Sequence, residues 1–294
     1  MKNIAFIINP ISGTQNKRKL PKLIEQTLDK SQWLANIVFT ERAGHAMELA
    51  HQYAHMGFDA VVAVGGDGTV NEVACGVRDT ETALGILPMG SGNGFARHLN
   101  IPMRANRALE MLNHSEVIRA DYGLANDKLF VTTCGTGFDA LIADHFATAG
   151  SRGFQTYIKQ IMQDLISYKP ETYRIVENGK DLLEHKAFLL TFANASQWGN
   201  DAYIAPRASI QDGKMDICVM SSSALLGIPS LALRLFTKTI DKSLFMDTFR
   251  AKDIMLHREQ ASPFHIDGDP VEMPKDIHIR IIEDGLRVLV EKRF

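Results

Sequence analysis

Val64-Gly65-Gly66-Asp67-Gly68-Thr69-Val70-Asn71-Glu72 follows the apolar run Ala60 to Val64 and opens a segment in which Val70, Val73, Ala74 and Val77 recur at helical spacing. Glycine at 65, 66 and 68 lets backbone approach a ligand closely and reach dihedrals closed to other residues. The new helix turns unpaired N–H groups and the positive end of its dipole toward the same gap. The pattern predicts a phosphate seat at a strand-to-helix turn. Asp67 is unusual there, because a carboxylate repels bound phosphates unless it holds Mg²⁺ or takes up a proton in the reaction.

The surrounding sequence repeats this rhythm. Asn3 to Ile8, Asn36 to Phe39, Ala60 to Val64 and Ala83 to Leu87 read as strands, separated by helical spacings at Leu20, Leu23, Ile24 and Leu28 and at Met47, Leu49, Ala50, Tyr53 and Ala54. Alternation of this kind predicts an α/β domain over residues 1–124, a parallel sheet with flanking helices. Two more loops of small and polar residues follow strands in it: Asn9-Pro10-Ile11-Ser12-Gly13 and Pro88-Met89-Gly90-Ser91-Gly92-Asn93-Gly94-Phe95-Ala96-Arg97. Three such loops at strand carboxyl ends converge where an open α/β sheet binds its ligand. No Gly-x4-Gly-Lys-Ser/Thr, His-Arg-Asp or Asp-Phe-Gly occurs, which excludes a P-loop nucleotidase and a protein kinase.

Past Asp121 the runs Lys128 to Thr133, Phe188 to Ala193, Met215 to Met220 and Ile277 to Ile282 are β-rich and mostly lack crossover helices, which predicts a largely antiparallel second domain over 125–294. Helical stretches are expected near Gln155 to Tyr168 and Leu225 to Thr237, and Glu283 to Val290 reads as a hairpin turning at Asp284-Gly285. No long linker separates the halves, so a cleft between them is the expected ligand site.

A chain of 294 residues with 45% hydrophobic content suits two folded domains. Lys and Arg number 32 against 34 Asp and Glu, a net charge of −2 that excludes broad phosphate neutralisation and argues against nucleic acid as a partner. Cys75, Cys134 and Cys218 lie far apart, which argues against a disulfide framework or thiolate zinc site and for a reducing cytosol. The uncharged stretch Ile217 to Leu233 is broken by Ser221, Ser222, Ser223, Gly227 and Pro229, short of the about 20 apolar residues of a membrane-spanning helix.

Taken in order, Asn9-Pro10 with Ser12-Gly13, Gly65 to Glu72, Gly90-Ser91-Gly92-Asn93 with Phe95-Ala96-Arg97, Asp121, Gly135-Thr136-Gly137-Phe138-Asp139, Asp212-Gly213 and Asp267-Gly268-Asp269 make the whole chain resemble the diacylglycerol and sphingosine lipid kinases, especially their bacterial soluble members. The resemblance implies an N-terminal nucleotide-binding domain and a β-sandwich-like C-terminal domain, with ATP, Mg²⁺ and a lipid alcohol as the reacting parties. It implies ATP contacts at Asn9, Ser12, Gly13, Thr40, Gly66, Asp67, Gly68, Thr69, Asn71, Glu72 and Ser91. It implies that Asp269 takes the proton of the substrate hydroxyl. Because Asp269 stands where many relatives carry Glu, the base stays open between Asp269 and Asp67. It also implies a structural Mg²⁺ point at Asp212, with main-chain carbonyls at Ser209 and Lys214, although the same residues suit an ordinary Asp-Gly turn. Gly94 stands where many diacylglycerol kinases carry an acid and sphingosine-type kinases a small residue, which leaves the lipid open.

The resemblance carries further expectations: a cytoplasmic protein, peripheral at the inner membrane surface through transient contact, with a homodimer among the open assembly states. Phe138, Phe154, Tyr157, Ile161, Phe192 and Trp198 are candidate acyl-chain liners, or plain core. Lys17, Arg18, Lys19 and Lys22 serve either phosphates or a charged outer helix face, and His45, His51 and His55 read as a solvated face. Two other functions remain at this level: an NAD-kinase-like soluble-nucleotide kinase, since NAD kinases share the Gly-Gly-Asp-Gly-Thr turn, and a non-catalytic nucleotide- or lipid-binding protein. Asn71-Glu72 after the turn and Asp267-Gly268-Asp269 near the end favour the lipid branch.

Overall fold

The computed structural model describes residues 1–13, 17–141, 143 and 168–292. They divide into two compact units, Met1–Tyr122 with Glu283–Phe294, and Gly123–Ile282. In chain order the first segment carries β1 (Lys2–Ile8), α1 (Leu20–Thr27), β2 (Trp33–Phe39), α2 (His45–His55), β3 (Ala60–Gly65), α3 (Asp67–Val77), β4 (Ala83–Pro88), α4 (Gly94–His98), α5 (Ala105–Leu112) and β5 (Ser115–Ala125). The rest carries β6 (Lys128–Phe130), β7 (Thr133–Gly137), β8 (Glu171–Glu177), β9 (Lys180–Ala193), β10 (Met215–Ser221), α6 (Ile228–Phe236), β11 (Met246–Ala251), β12 (Asp253–Arg258), β13 (Phe264–Ile266), β14 (Asp269–Val271) and β15 (Asp276–Glu291).

In the first unit β1 lies between β2 and β3, with β4 beyond β3, all parallel. Ile4 to Ile8 and Ala60 to Val64 are fully buried, as central parallel strands covered on both faces must be, and this is why they read as unbroken apolar runs. The end of β15 completes the sheet, pairing Val288 with Leu84 in parallel. Residues 283–294 therefore cluster with the first unit, whereas their β-rich composition groups them with the second.

The expected hairpin at Asp284-Gly285 is corrected here: β15 runs on without reversing. A two-residue hairpin of the type that Asp-Gly favours needs positive φ at both residues, and only Asp284 has it, at 54°. Gly285 accepts the Asp79 N–H at 2.8 Å and Asp284 donates to Asp121 Oδ1 at 2.9 Å, so tertiary partners hold the chain straight.

In the second unit β14, β13, β7, β9, β8 and β12 follow one another, β12 pairs with the start of β15, and β10 joins β9 to β11, all antiparallel. Tyr173, Phe192, Ile217, Leu256 and Phe264 sit in one apolar cluster and Phe138, Phe188, Met220, Leu231 and Met246 in a second. Lys128 to Thr133 is two strands rather than one, because the amides of Val131 and Thr132 leave the ladder for the Asp267 carboxylate. The helix expected near Gln155 to Tyr168 lies almost entirely outside the described residues, whereas the one near Leu225 to Thr237 is present as a short 3₁₀ turn followed by α6.

Candidate functional site

In the first unit the strand-end loops meet through glycine. A Cβ on Gly90 would lie 2.5 Å from Gly66 Cα, and one on Gly13, whose φ is +63°, would lie 2.0 Å from the Met89 carbonyl oxygen. No side chain fits at either point, so the loops after β1, β3 and β4 are pressed together backbone to backbone. Asn9 ties them further. Its Nδ2 donates to Thr69 Oγ1 at 3.1 Å while its Oδ1 accepts the Ile11 N–H at 3.1 Å.

A cleft of about 330 Å³ opens beside them, lined among others by Asn9, Ser12, Thr40, Gly66, Gly68, Thr69 and Glu72. The helix N-cap at its wall, Gly66, brings no capping side chain to the start of α3. Gly13, Asp67, Asn71 and Ser91 lie off the wall. Gly13 braces Met89, Ser91 is exposed, and Asn71 accepts the Cys75 thiol at 3.6 Å.

Asp67 and Glu72 have structural work of their own. The two Asp67 oxygens accept the Asn93 N–H at 2.8 Å and the Gly94 N–H at 2.7 Å, joining the glycine turn to the start of α4. Glu72 accepts the Gly44 and Ala46 amides at 2.9 and 3.0 Å and so caps α2. Two cations stand near the cleft. Lys17 is buried against Ser12, donating to its Oγ at 2.9 Å and to its carbonyl, and burial lowers its pKa. Arg42, on the wall, is held by Glu48 at 2.9 and 2.6 Å, and that pairing raises its pKa. Sequence reading passed over Arg42, although it follows β2 just as the other loops follow their strands. Among the described residues no cluster of three or more His, Cys, Asp or Glu side chains, His45, His51 and His55 included, could hold a metal ion.

In the second unit Asp267-Gly268 turns β13 into β14, with φ of 49° and 87° as a two-residue hairpin turn requires. Asp267 is buried and accepts the amides of Val131, Thr132 and Thr133 at 3.0, 2.8 and 3.1 Å as well as the Thr132 hydroxyl. Asp269, two residues on, is exposed at the start of β14. The buried Arg258 holds both approaches to this hairpin by donating to the carbonyls of Ser262, Met273 and Pro274 at 2.7, 2.9 and 2.6 Å, and burial lowers its pKa.

Around Asp212 the side chains make a turn. Ser209 Oγ accepts the Gln211 amide and Asp212 Oδ1 accepts the Lys214 amide, each at 3.2 Å. Asp212 Oδ2 lies 3.3 Å from Arg250, which also reaches Asp216 at 3.2 Å. Burial raises the Asp216 pKa against the opposing pull of Arg250. Of the expected chain liners, Phe138 packs against Phe188 and Tyr168 at ring distances of 4.6 and 5.4 Å, Phe192 is core and Trp198 is half-buried. Phe154, Tyr157 and Ile161 lie outside the described residues.

Comparison with known proteins agrees with this architecture. A family model described as the diacylglycerol kinase catalytic domain matches residues 3–125, and one described as the YegS C-terminal NAD kinase beta sandwich-like domain matches residues 132–290. A diacylglycerol kinase of Bacillus subtilis is 30% identical over 243 residues, covering 80% of each chain. A "probable lipid kinase YegS-like" of Chromohalobacter salexigens is 29% identical over 238 residues, 79% of this chain and 76% of that one. The solved structure of a diacylglycerol kinase from Bacillus anthracis shares the fold at a TM-score of 0.73 and 21% identity, covering 98% of this chain and 96% of that one. An NAD kinase from Archaeoglobus fulgidus does so more distantly, at 0.51 and 15%, covering 98% and 93%. The chain belongs to the diacylglycerol kinase family of lipid kinases, with a catalytic domain followed by a YegS-type β-sandwich-like domain.

Proposed function

We propose that this protein is an ATP-dependent lipid kinase that transfers the γ-phosphoryl group to the hydroxyl of a membrane lipid, diacylglycerol first and a sphingoid base second. The observation that carries the reading is the glycine-joined cleft at the uncapped start of α3, in a chain of this family. Anionic phosphates suit a wall of helix amides, small hydroxyl and amide side chains and a nearby buried lysine. Asn9, Ser12, Thr40, Gly66, Gly68 and Thr69 are the proposed nucleotide contacts. Gly13, Asp67 and Glu72 act as braces and caps around them, and Asn71 and Ser91 stand off the cleft wall.

Phosphoryl transfer asks mainly for positioning and charge neutralisation. The alcohol oxygen forms a bond to γ-phosphorus as the bond to the β,γ-bridging oxygen breaks, ADP leaves, and the alcohol proton passes to a carboxylate. We assign that proton to Asp269, because both oxygens of Asp67 already serve backbone amides. The donors at Asp212 and the carbonyls of Ser209 and Lys214 are hard oxygens and suit Mg²⁺, and the 3.3 Å contact with Arg250 is long for a charge-assisted bond, which leaves lone pairs available. When bound there, the ion would brace the loop. Contact with the bilayer is assigned to the surface of α6 and the loop after it, where Leu233, Phe236 and Leu244 are exposed beside Arg234, Lys238 and Lys242. Among the described residues no helix is long and apolar enough to cross a membrane.

The test is transfer of label from γ-labelled ATP across extracted membrane lipids in mixed micelles, with NAD in parallel and products identified by mass. Label on a lipid alcohol is the expected result, and label on NAD or on nothing overturns the proposal.

A further inference from the structure

Beneath the Asp267-Gly268 turn lies a buried polar chain that the phosphoryl-transfer reading does not use. Asp139 stands on the helical residues 138–141 directly after β7. Its Oδ1 accepts the Ala140 amide at 2.8 Å, and its Oδ2 accepts the Thr191 hydroxyl at 2.6 Å and faces His265 Nε2 at 3.2 Å. The side chains are 6% and 3% exposed. On the far side of the imidazole, the Gly268 N–H points at His265 Nδ1 across 3.3 Å.

These contacts fix the proton on the ring. A backbone N–H only donates, so Nδ1 is bare, and the carboxylate wants a donor, so Nε2 carries hydrogen. The neutral Nε2–H form alone satisfies both neighbours. Room for the pair comes from Gly135, where a Cβ would fall 2.6 Å from Asp139 Oδ2 and 3.0 Å from His265 Nε2.

Gly268 immediately precedes Asp269, and the hairpin that carries them is weak in its own ladder. β13 and β14 have three residues each, and the partner of His265 across the ladder is Pro270, which has no N–H to give. The geometry points to His265 as a positioning residue: through Nδ1 it holds the Gly268 amide, and so sets the direction in which Asp269 is presented. The inference rests on Asp269 being the base.

Two substitutions divide the ring's roles. His265→Asn puts an acceptor oxygen near the place of Nδ1 but cannot reach Asp139, whereas His265→Gln puts an amide near the place of Nε2 and gives up the Gly268 contact. Amide hydrogen exchange and steady-state transfer to diacylglycerol are measured on the full chain for both and for Asp269→Asn. In His265→Gln, exchange at Gly268 should rise about 3- to 10-fold with β9 amides unaffected. Its kcat should fall about 10- to 100-fold while KM for ATP stays within about twofold. His265→Asn should rescue, with exchange within about twofold and kcat within about threefold of the parent. Equal exchange at Gly268 in the two variants, or equal loss of kcat, overturns the inference. Wild-type transfer by Asp269→Asn overturns the base assignment instead, and the exchange data still report whether the ring holds the turn.

Discussion

Asp267 accepts three backbone amides and a hydroxyl, and replacing it with asparagine tests the account of the hairpin with little change of shape. Oδ1 accepts the Thr132 and Thr133 amides at 2.8 and 3.1 Å and Oδ2 the Val131 amide at 3.0 Å, all away from solvent. In Asp267→Asn the amide oxygen can keep the first two, but the NH₂ group then meets the Val131 N–H donor to donor. Leaving that buried N–H unpaired costs about 1–3 kcal/mol, and turning two charge-assisted bonds into neutral ones costs about 1 kcal/mol each. The sum is about 3–5 kcal/mol. At about 2–4 °C per kcal/mol for a unit of this size, the melting transition should fall by roughly 6 to 20 °C. Calorimetry at pH 7 measures it, with Asp269→Asn as the exposed neighbour expected to shift by about 2 °C or less. Melting of Asp267→Asn within about 2 °C of the parent would refute the view that these bonds hold the turn.

Asp269→Asn should lower transfer to lipid by about 10² to 10⁴ with ATP binding retained, read by steady-state assay and calorimetric titration; a tenfold loss of ATP affinity instead would move the residue to the nucleotide. For Gly13→Ala, with positive φ and a Cβ 2.0 Å from the Met89 carbonyl, ATP affinity should fall at least about tenfold, and an unchanged Kd would show that the loops do not need their close contact. Burial lowers the His98 pKa from 6.5 to about 4, so the folded chain keeps this imidazole neutral where the unfolded chain protonates it. Its contribution is fully present above pH 6.5 and is lost as pH falls toward 4, about 1–3 kcal/mol given the ring's residual exposure. Urea unfolding at pH 7 and pH 4.5 should show a smaller acid loss in His98→Gln than in the parent, and equal losses would remove His98 as the cause.

The central strands of the first unit could be read from sequence because burial on both faces leaves a plain mark: Ile4 to Ile8 and Ala60 to Val64 have no exposed side to carry polar residues. Helix α4 escaped because five residues are too few for a helical period to show. Asp284-Gly285 misled for the opposite reason. Its local chemistry is that of a turn, yet the partner that decides its course, Asp121, is 163 residues away. The glycine loops of the candidate site were visible as motifs, since glycine is the only residue that lets backbones touch. The supports behind Asp269 were not: His265 and Asp139 are 126 residues apart, Thr191 lies 52 from Asp139, and no spacing rule connects them.

Strand β15 has a consequence for how this chain comes off the ribosome. Leu286, Val288 and Leu289 are buried in the first unit, where Val288 pairs with Leu84, a residue made 204 positions earlier. The nascent sheet of β1 to β4 must therefore wait with its β4 edge unpaired until β15 has been made, a standing invitation to aggregation or chaperone capture. A fragment ending at Tyr122 would carry that unpaired edge permanently.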